Sequence, residues 1–365
     1  MGENRLNQIE LLKTMDALCG GLLCRLLPRP AGPGRLAGLR RILLIRPGGI
    51  GDAVLLAPAI AALQERFPAA AITVLAEKRN AGVFALIPDV AQVLRYDVPG
   101  EFLTAFRLKP EVVIDTEQCH YLSAVVARLT GAGTIIGYGT NQRARLFHHA
   151  IPYSHDDYEA DSFFHLLAPL GITPPPPMAA VFLSVPTAAG NRAKQLLAPL
   201  AGRPFLTIFP GASIQERRWD TENFSRIAVR LAAQGFGIVV VGGREDAATG
   251  SAISNAGGLN LAGQTTLAET AAILAQSALL ISGDSGVLHL GVGLGIPTVS
   301  FFGPGIAKKW APRGLAHRVL NRNLSCSPCT SFGSTPRCPR QAACLREITP
   351  EMVSDAALSL LVTPR

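Results

Sequence analysis

Short apolar runs alternate with amphipathic segments along most of the chain. The run at residues 41–46 leads into the turn Pro-Gly-Gly-Ile-Gly-Asp and then into a helix-like pattern over residues 53–66. Further apolar runs begin at residues 71 and 112, each before a helix-like or polar segment. Repeated alternation of strand and helix predicts an α/β fold with a parallel, doubly wound sheet. We expect a first Rossmann-like domain over residues 41–173.

The same alternation starts again after four consecutive prolines at residues 174–177. A proline run is stiff and ends any helix before it, so we expect an interdomain segment over residues 174–202. Four more apolar runs follow, each ending in small or polar residues, at 205–209, 237–241, 278–281 and 297–302. They predict a second Rossmann-like domain over residues 203–349, with a final helix at 350–365. The two domains are expected to face one another across a cleft.

The composition supports the prediction of two domains. The chain has 365 residues, of which 48% are hydrophobic and 16% are charged. Single cores usually stop growing at about 250–300 residues. Parallel strands that are buried on both faces require a high apolar content. No stretch reaches the roughly 18–20 uninterrupted apolar residues of a transmembrane helix.

The amino-terminal segment, residues 1–40, is expected to hold an amphipathic helix and a linker. Its apolar residues recur at steps of three and four: Leu6, Ile9, Leu12, Met15, Cys19, Leu22 and Leu26. This stripe ends before Pro28. Early acidic residues, and Arg25 within the apolar run, argue against a signal peptide. Two interpretations stay open, a helix packed on its own domain and a helix lying on a membrane surface.

The net charge is +8, and the basic excess is concentrated near the amino end, where residues 1–46 hold eight basic and three acidic residues. Such an excess suits nucleic acid, an anionic membrane or an anionic substrate. Aromatic residues make up only 6% of the chain, and none interleave with a basic stretch as in RNA-binding proteins. We therefore expect no nucleic-acid partner.

The turn after the first apolar run carries the first candidate chemistry. Its glycines are Gly48, Gly49 and Gly51. Glycines let the backbone approach a ligand closely, and Asp52 follows them as a candidate general base. A dinucleotide fingerprint is the rival, with Glu77 as the ribose acid, but its third glycine would fall at Val54. The alternative role for Asp52 is that of a helix N-cap.

A second candidate loop, Ser-Gly-Asp-Ser-Gly-Val-Leu-His, follows the run at residues 278–281. The amides of Ser285 and Gly286, at a predicted helix start, form an anion site that suits a nucleotide diphosphate. Asp284 and His289 are placed to reach the sugar and phosphate sides. The alternatives are an N-cap for Asp284 and a satisfied core histidine for His289.

A third candidate loop begins with Pro-Gly-Ala-Ser and ends in two adjacent arginines. Ser213 supplies a hydroxyl, and either Arg217 or Arg218 can neutralise a leaving diphosphate by a bidentate contact. A solvated basic pair is the alternative. Glu245, which follows the next predicted strand, is a candidate acceptor for ribose hydroxyls or an ordinary loop acid.

Together the three loops resemble glycosyltransferase family 9, the heptosyltransferases that build the inner core of lipopolysaccharide. The resemblance runs from about residue 41 to residue 348. It implies a GT-B fold, with Asp52 as the catalytic base and Ser213 and Arg217 as phosphate contacts. The other donor-binding positions that it implies are Glu245, Asp284, Ser285, Gly286 and His289. The first turn departs from the pattern, because Gly48 and Gly49 stand where these enzymes often have two serines.

The resemblance implies an inverting transfer of a heptose or related sugar from an ADP-sugar donor to an anionic acceptor of the lipid A–Kdo type. No D-x-D motif stands at either strand-end site, so we expect metal-independent catalysis without a cofactor. The implied location is the cytoplasm, with peripheral contact at the inner membrane. Three alternatives stay open: a sugar-nucleotide epimerase, a family 9 transferase with another sugar or acceptor, and a non-catalytic nucleotide-sugar binding module.

Four of the seven cysteines lie in a proline-rich loop before the last predicted helix: Cys326, Cys329, Cys338 and Cys344. Four thiols at this spacing can bind zinc tetrahedrally. Reduced thiols and disulfides are the alternatives, and a reducing cytoplasm disfavours disulfides. A zinc ion here would stabilise the loop rather than perform chemistry.

Overall fold

The computed structural model describes residues 14–36, 38–173, 179–255, 257–331 and 334–362. The chain divides into two compact units. One unit comprises Met1–Gly49 and Leu56–Met178, and the other comprises Ile50–Leu55 and Ala179–Arg365. The four prolines of the expected interdomain segment, at 174–177, lie outside the described residues.

The first unit is built on a sheet of six parallel strands in the order β3-β2-β1-β4-β5-β6. The strands are β1 (Arg41–Arg46), β2 (Ala71–Ala76), β3 (Gln92–Arg95), β4 (Val112–Asp115), β5 (Thr134–Tyr138) and β6 (His149–Ile151). In the central strand, Leu43 is in register with Thr73 on one side and Val113 on the other. Helices cover both faces of such a sheet, so β1 and β4 read as continuous apolar runs.

Among the described residues of this part of the sequence there are seven α-helices. They are α1 (Gly21–Leu26), α2 (Ile50–Leu55), α3 (Ala57–Arg66), α4 (Ala81–Phe84), α5 (Pro99–Arg107), α6 (Tyr121–Leu129) and α7 (Glu159–His165). Contacts group α2 with the second unit, although its neighbours in sequence belong to the first.

The second unit repeats the strand order of the first, as β12-β11-β10-β7-β8-β9, again with parallel pairing. Its strands are β7 (Phe205–Phe209), β8 (Gly237–Val240), β9 (Leu259–Asn260), β10 (Leu279–Gly283), β11 (Thr298–Phe302) and β12 (His317–Asn321). The order reverses beside β7, so the loops after β7 and β10 flank the crevice where doubly wound sheets hold ligands. The prediction of two doubly wound α/β domains is confirmed.

The helices of the second unit are α8 (Thr187–Leu197), α9 (Thr221–Ala233), α10 (Ala247–Ser254), α11 (Leu267–Leu274), α12 (Gly286–Gly293), α13 (Ala307–Trp310), α14 (Ala343–Arg346) and α15 (Pro350–Val362). An aromatic cluster anchors the core, since the ring of Trp219 lies 5.0 Å from the rings of both Phe224 and Phe301. Its indole Nε1 donates to the Ile348 carbonyl at 3.1 Å, next to α15. No described helix is both long and apolar enough to cross a membrane.

The amino-terminal helix packs on the first unit through an unexpected face. A π-helical turn, Asp16–Gly20, leads into α1. The buried positions along this stretch are Asp16, Gly20 and Cys24, whereas Met15, Cys19, Leu22 and Leu26 are exposed. The apolar stripe expected from the sequence is therefore not the face that packs on the protein. Leu6, Ile9 and Leu12 of that stripe lie outside the described residues.

Candidate donor-binding and catalytic site

The first glycine turn is held by an acid that directly follows the neighbouring strand β2. Gly48 has φ +100°, a left-handed conformation that favours glycine. Its N–H donates to Glu77 Oε2 at 3.1 Å, and the same oxygen lies 2.9 Å from Nε of Arg79. Glu77 is thus engaged in holding the turn, which accounts for its position without any dinucleotide.

Within the second unit, α2 and α12 approach closely at two glycines. A Cβ on Gly51 would lie 2.7 Å from Cδ2 of His289, and one on Gly286 would lie 2.5 Å from Cβ of Ile50. A side chain at either position would therefore clash. The first turns of both helices consequently lie together, and first-turn amides carry partial positive charge. Such an arrangement can hold an anionic group.

Asp52 lies in the first turn of α2 and is half-buried. The helix begins at Ile50, so Asp52 is not its N-cap, and the capping alternative does not hold. Its Oδ1 accepts a hydrogen bond from Nε1 of Trp310 at 3.1 Å. Sequence analysis missed Trp310, since no motif marks it; the one available signal was that tryptophan occurs only twice in the chain.

In the loop after β10, Asp284 and Ser285 make different interactions. Ser285 is the N-cap of α12: its Oγ accepts from the Leu288 N–H at 3.1 Å and lies 2.8 Å from the Ser282 hydroxyl. The capping alternative for Asp284 is therefore wrong. Asp284 instead forms an ion pair with Arg217, with Oδ2 3.0 Å from Nη1, and both side chains are largely shielded from solvent.

The adjacent residues Arg217 and Arg218 also have different partners. The Arg218 guanidinium donates to the Ala212 carbonyl through Nε and Nη2, at 3.1 and 3.0 Å, and lies 3.9 Å from Asp246. It holds the Pro-Gly-Ala-Ser turn, in which Ser213 is exposed. Arg217 is the arginine that reaches the donor loop, because it pairs with the carboxylate there.

A buried acid that sequence analysis missed lies beside the expected ribose acid. Glu245 is exposed, whereas Asp246 is buried, and its Oδ2 accepts from the Gly243 N–H at 3.0 Å. A Cβ on Gly211 would lie 2.6 Å from the same oxygen, so Asp246 lies between the turns that follow β7 and β8. Burial raises the pKa of Asp246, against the opposing effects of the Gly243 N–H and of Arg218.

One of the two interpretations of His289 was a core histidine whose hydrogen bonds are all satisfied. The structure does not support that interpretation. The residue is 3% exposed, and its Nδ1 has no hydrogen-bond partner within the described part of the chain. Burial lowers the pKa of His289, although Asp284 and Asp52 act in the opposite direction. The ring is therefore neutral near pH 7. Buried polar atoms are normally bonded, so the orphaned nitrogen marks a position that a ligand or water would complete.

The cysteine loop adjoins the donor-side arginine. Thr330 Oγ1 accepts from Nη2 of Arg217 at 3.4 Å. The four cysteines predicted to bind zinc are free thiols. Burial raises the pKa of the Cys344 thiol, and the neighbouring Cys338 and Cys329 act in the same direction. No three of them lie within 4.8 Å of one another among the described residues, and zinc binding stays a prediction.

Two Rossmann-like units, with a helix N-terminus, an arginine and a carboxylate at the strand ends, are typical of glycosyltransferases with the GT-B fold. The family described as "Glycosyltransferase family 9 (heptosyltransferase)" matches residues 108–338, and the chain belongs to this family. The resemblance inferred from the three loops is confirmed, and the chain is a glycosyltransferase by family.

Similar proteins carry heptosyltransferase names. The chain is 23% identical to lipopolysaccharide heptosyltransferase 2 of Escherichia coli strain K12, over 77% of this chain and 87% of that protein. The namesake from Salmonella typhimurium is 28% identical over 44% of this chain, and the match spans about half of that relative, 47% of its length. The structure of E. coli ADP-heptose lipopolysaccharide heptosyltransferase II superposes with a TM-score of 0.73, at 21% identity, over 88% of this chain and 98% of that one.

Proposed function

We propose that this chain is an inverting heptosyltransferase of lipopolysaccharide core biosynthesis, with an ADP-activated heptose as donor and an anionic inner-core acceptor. The observation that carries the proposal is the group of residues within the second unit that comprises Asp52, the Arg217–Asp284 pair and the start of α12. Family membership and the names of the relatives support heptosyl transfer in particular.

On the donor side, Arg217 and the first amides of α12 would stabilise the departing diphosphate. Arg217 is already oriented by Asp284 and Thr330, so little reorganisation accompanies the reaction. Preorganised donors aimed at developing charge are commonly the largest contribution to catalysis. Exposed Ser213 and Glu245 would contact the phosphate and the ribose, respectively. Neutral His289 would use its unpaired Nδ1 to bond the donor.

On the acceptor side, Asp52 would take the proton of the attacking hydroxyl. The acceptor oxygen forms a bond to the anomeric carbon on the face opposite the leaving group. The bond from that carbon to the diphosphate oxygen breaks, so the configuration inverts and ADP departs with the bonding electrons. Trp310 holds Oδ1 of the carboxylate, which restricts its rotation while the acceptor binds. The glycine turn with Gly48 and Gly49 would lie beside the acceptor.

We further propose that catalysis needs neither a divalent metal nor an organic cofactor. Positive charge facing the diphosphate comes from Arg217 and from the helix start, and no D-x-D motif follows the strands that carry these groups. Any zinc in the cysteine loop would be structural. The proposed location is the cytoplasmic face of the inner membrane, where the enzyme meets a lipid-linked acceptor, and no nucleic acid takes part.

The test is a reaction with the purified full chain, ADP-heptose and a Kdo-bearing lipid A acceptor. We expect ADP release only when acceptor is present, and an acceptor mass increase of a single heptose residue. Isomerised sugar without acceptor would favour an epimerase, and donor binding without turnover would favour a binding module. Either result contradicts the proposal. Transfer of a different sugar would retain the family chemistry but refute the heptose assignment.

A further inference from the structure

The apolar side chains of the amino-terminal helix point away from the protein. Leu18 and Leu26 are each 69% exposed, Leu22 is 56% exposed and Met15 is 50% exposed. Their spacing of three and four residues places them on one stripe of the helix. We call these four side chains the leucine face.

Polar and small residues on the opposite stripe fix this orientation. The Asp16 carboxylate accepts from the Tyr121 and Leu122 N–H groups at 3.0 and 2.8 Å, so it satisfies the amino end of α6. A Cβ on Gly20 would lie 2.7 Å from Cβ of Tyr121. Cys24 Sγ contacts the Tyr121 carbonyl at 3.9 Å. Rotating the helix to bury its leucines would break these bonds. The packing of the helix on α6 therefore keeps the leucine face exposed.

Within residues 14–36, α6 and the adjoining 3₁₀ turn, the exposed charges near the leucine face are of one sign. Arg25 and Arg29 are exposed, and Arg128 and Arg145 are held beside them by bonds to the backbone carbonyls of Pro28 and Arg25. The acid within residues 14–36 is Asp16, which is buried. Helix α6 and the adjoining 3₁₀ turn Gln142–Leu146 contain no acidic residue. An apolar stripe flanked by arginines matches the two attractions that hold an interfacial helix on an anionic bilayer.

We propose that the leucine face docks on an anionic lipid bilayer, with its leucines in the acyl boundary and the arginines against phosphate headgroups. The inference deepens the proposed function and rests on it for the lipid-linked acceptor that makes a membrane relevant. A bilayer fits better than a second copy of the chain. A symmetric contact would bring the same arginines of both copies together, and juxtaposed like charges oppose association.

The experiment measures binding of the full chain to large unilamellar vesicles. Vesicles of phosphatidylethanolamine with phosphatidylglycerol are compared with vesicles of phosphatidylcholine. We expect preferential binding to the former, weakened by high salt because exposed charges are screened. The triple variant Leu18→Ser, Leu22→Ser, Leu26→Ser should lower the partition coefficient by at least about tenfold, because three leucines no longer leave water. Arg29→Gln should lower it by about fivefold on the anionic vesicles alone.

A matched variant of the second unit controls for exposed apolar surface in general. Val181, Val229 and Leu315 are 59%, 55% and 90% exposed, and their replacement by serine should leave binding unchanged. Because all six positions are exposed, both triple variants should melt close to the wild type. Arg29→Gln, which leaves the leucine stripe intact, tests the face independently if the leucine variant fails to fold.

Equal binding of the leucine variant and the wild type would overturn the proposal, as would equal binding to neutral and anionic vesicles. So would a wild-type dimer in sedimentation velocity that the leucine variant converts to monomer, because the face would then join two copies. Transfer assayed with a water-soluble, deacylated acceptor separates the two proposals. Vesicle binding without such transfer would refute the proposed function alone, and transfer without vesicle binding would refute the leucine face alone.

Discussion

An indole hydrogen bond from Trp310 reaches the carboxylate proposed as the base. Trp310 ends a four-residue helix, and the buried Lys309 ammonium lies 5.8 Å from its ring centre. At the scale of single residues, the proposed base Asp52 and its hydrogen-bond partner Trp310 can be tested separately. Asp52 could be identified because its loop resembles a family motif. Trp310 could not, because it lies 258 positions further along the chain. No local pattern connects residues at that separation.

We predict that Asp52→Asn lowers kcat by at least about 100-fold, within the usual range of about 10²–10⁴ for a positioned base. ADP affinity should barely change, because the base acts on the acceptor hydroxyl in the transition state. Asparagine keeps an oxygen that can accept from Trp310, so the melting temperature should also be retained. Kinetics, calorimetry with ADP and thermal melting are measured together. Near-normal turnover with unchanged melting would refute the base assignment.

We predict that Trp310→Phe lowers kcat by about tenfold, since a hydrogen bond to a charged group contributes about 1.5–3 kcal/mol. Phenylalanine keeps an aromatic ring and removes the N–H. The donor KM should stay unchanged, and Trp310→His, which can supply a ring N–H, should recover part of the rate. Trp219→Phe is the control, because it removes an indole bond to the Ile348 carbonyl within the core. The control should lower stability and leave kcat intact; the same pattern in Trp310→Phe would assign it a structural role.

At the scale of elements, burial explains only in part which strands the sequence reveals, because β5 is buried throughout and was not predicted. Strands β1, β4 and β10 lie inside their sheets and read as continuous apolar runs, and all three were predicted. Strands β3, β9 and β12 are outer or short, carry residues such as Gln92, Asn260 and His317, and were not predicted. The orientation of α1 was equally hidden. It depends on the Asp16 bonds to Tyr121 and Leu122, which no periodicity within the helix encodes.

The outer strand β12 contains a histidine that should make stability depend on pH. His317 is in register with Thr298 of β11, its Nδ1 lies 3.0 Å from Oγ1 of that threonine, and burial lowers its pKa to about 4. The unfolded chain binds this proton near pH 6.5, whereas the folded protein does so only near pH 4. The free energy of unfolding that depends on neutral His317 is therefore fully present above about pH 6.5. It is lost as the pH falls toward 4.

We predict that the melting temperature of the wild type falls between pH 7 and pH 4.5, and that His317→Gln has a shallower dependence. Glutamine can still bond Thr298 but does not titrate. His289 contributes in the same direction, because burial also lowers its pKa, so the informative quantity is the difference between the two profiles. Parallel profiles would show that His317 does not take up the proton on unfolding.

The cysteine loop gives a further prediction for an element. We expect about one zinc ion per chain in protein purified without chelator, bound by Cys326, Cys329, Cys338 and Cys344. Chelation should lower both the melting temperature and ADP affinity, because Thr330 of this loop contacts Arg217. Metal analysis and thiol alkylation decide the matter. A zinc content far below one per chain, with all four thiols freely alkylated, would refute the metal site.

At the scale of the whole molecule, the candidate residues are unevenly distributed over the two units, each considered by itself. Gly48 and Gly49 belong to the first unit, whereas Gly51, Asp52 and every candidate donor contact belong to the second. The sequence could predict two sheets and the motifs on them, because both follow from local patterns. It could not predict that α2 groups with the second unit, since this depends on the close approach of two glycines to His289 and Ile50.

This division predicts where a bound nucleotide should stabilise the full chain. Under the proposed function, ADP binds the folded protein and not the unfolded chain, so saturation at about 100 times Kd should add about 2.7 kcal/mol of global stability. Local opening that exposes the donor loops should be suppressed beyond this general effect. Hydrogen exchange read by mass spectrometry should therefore slow most in peptides that cover residues 50–55, 213–218 and 284–289. Peptides from β2 and β5 of the first unit should respond less. Equal or greater protection of those strands would place the nucleotide in the first unit and contradict the proposed donor site.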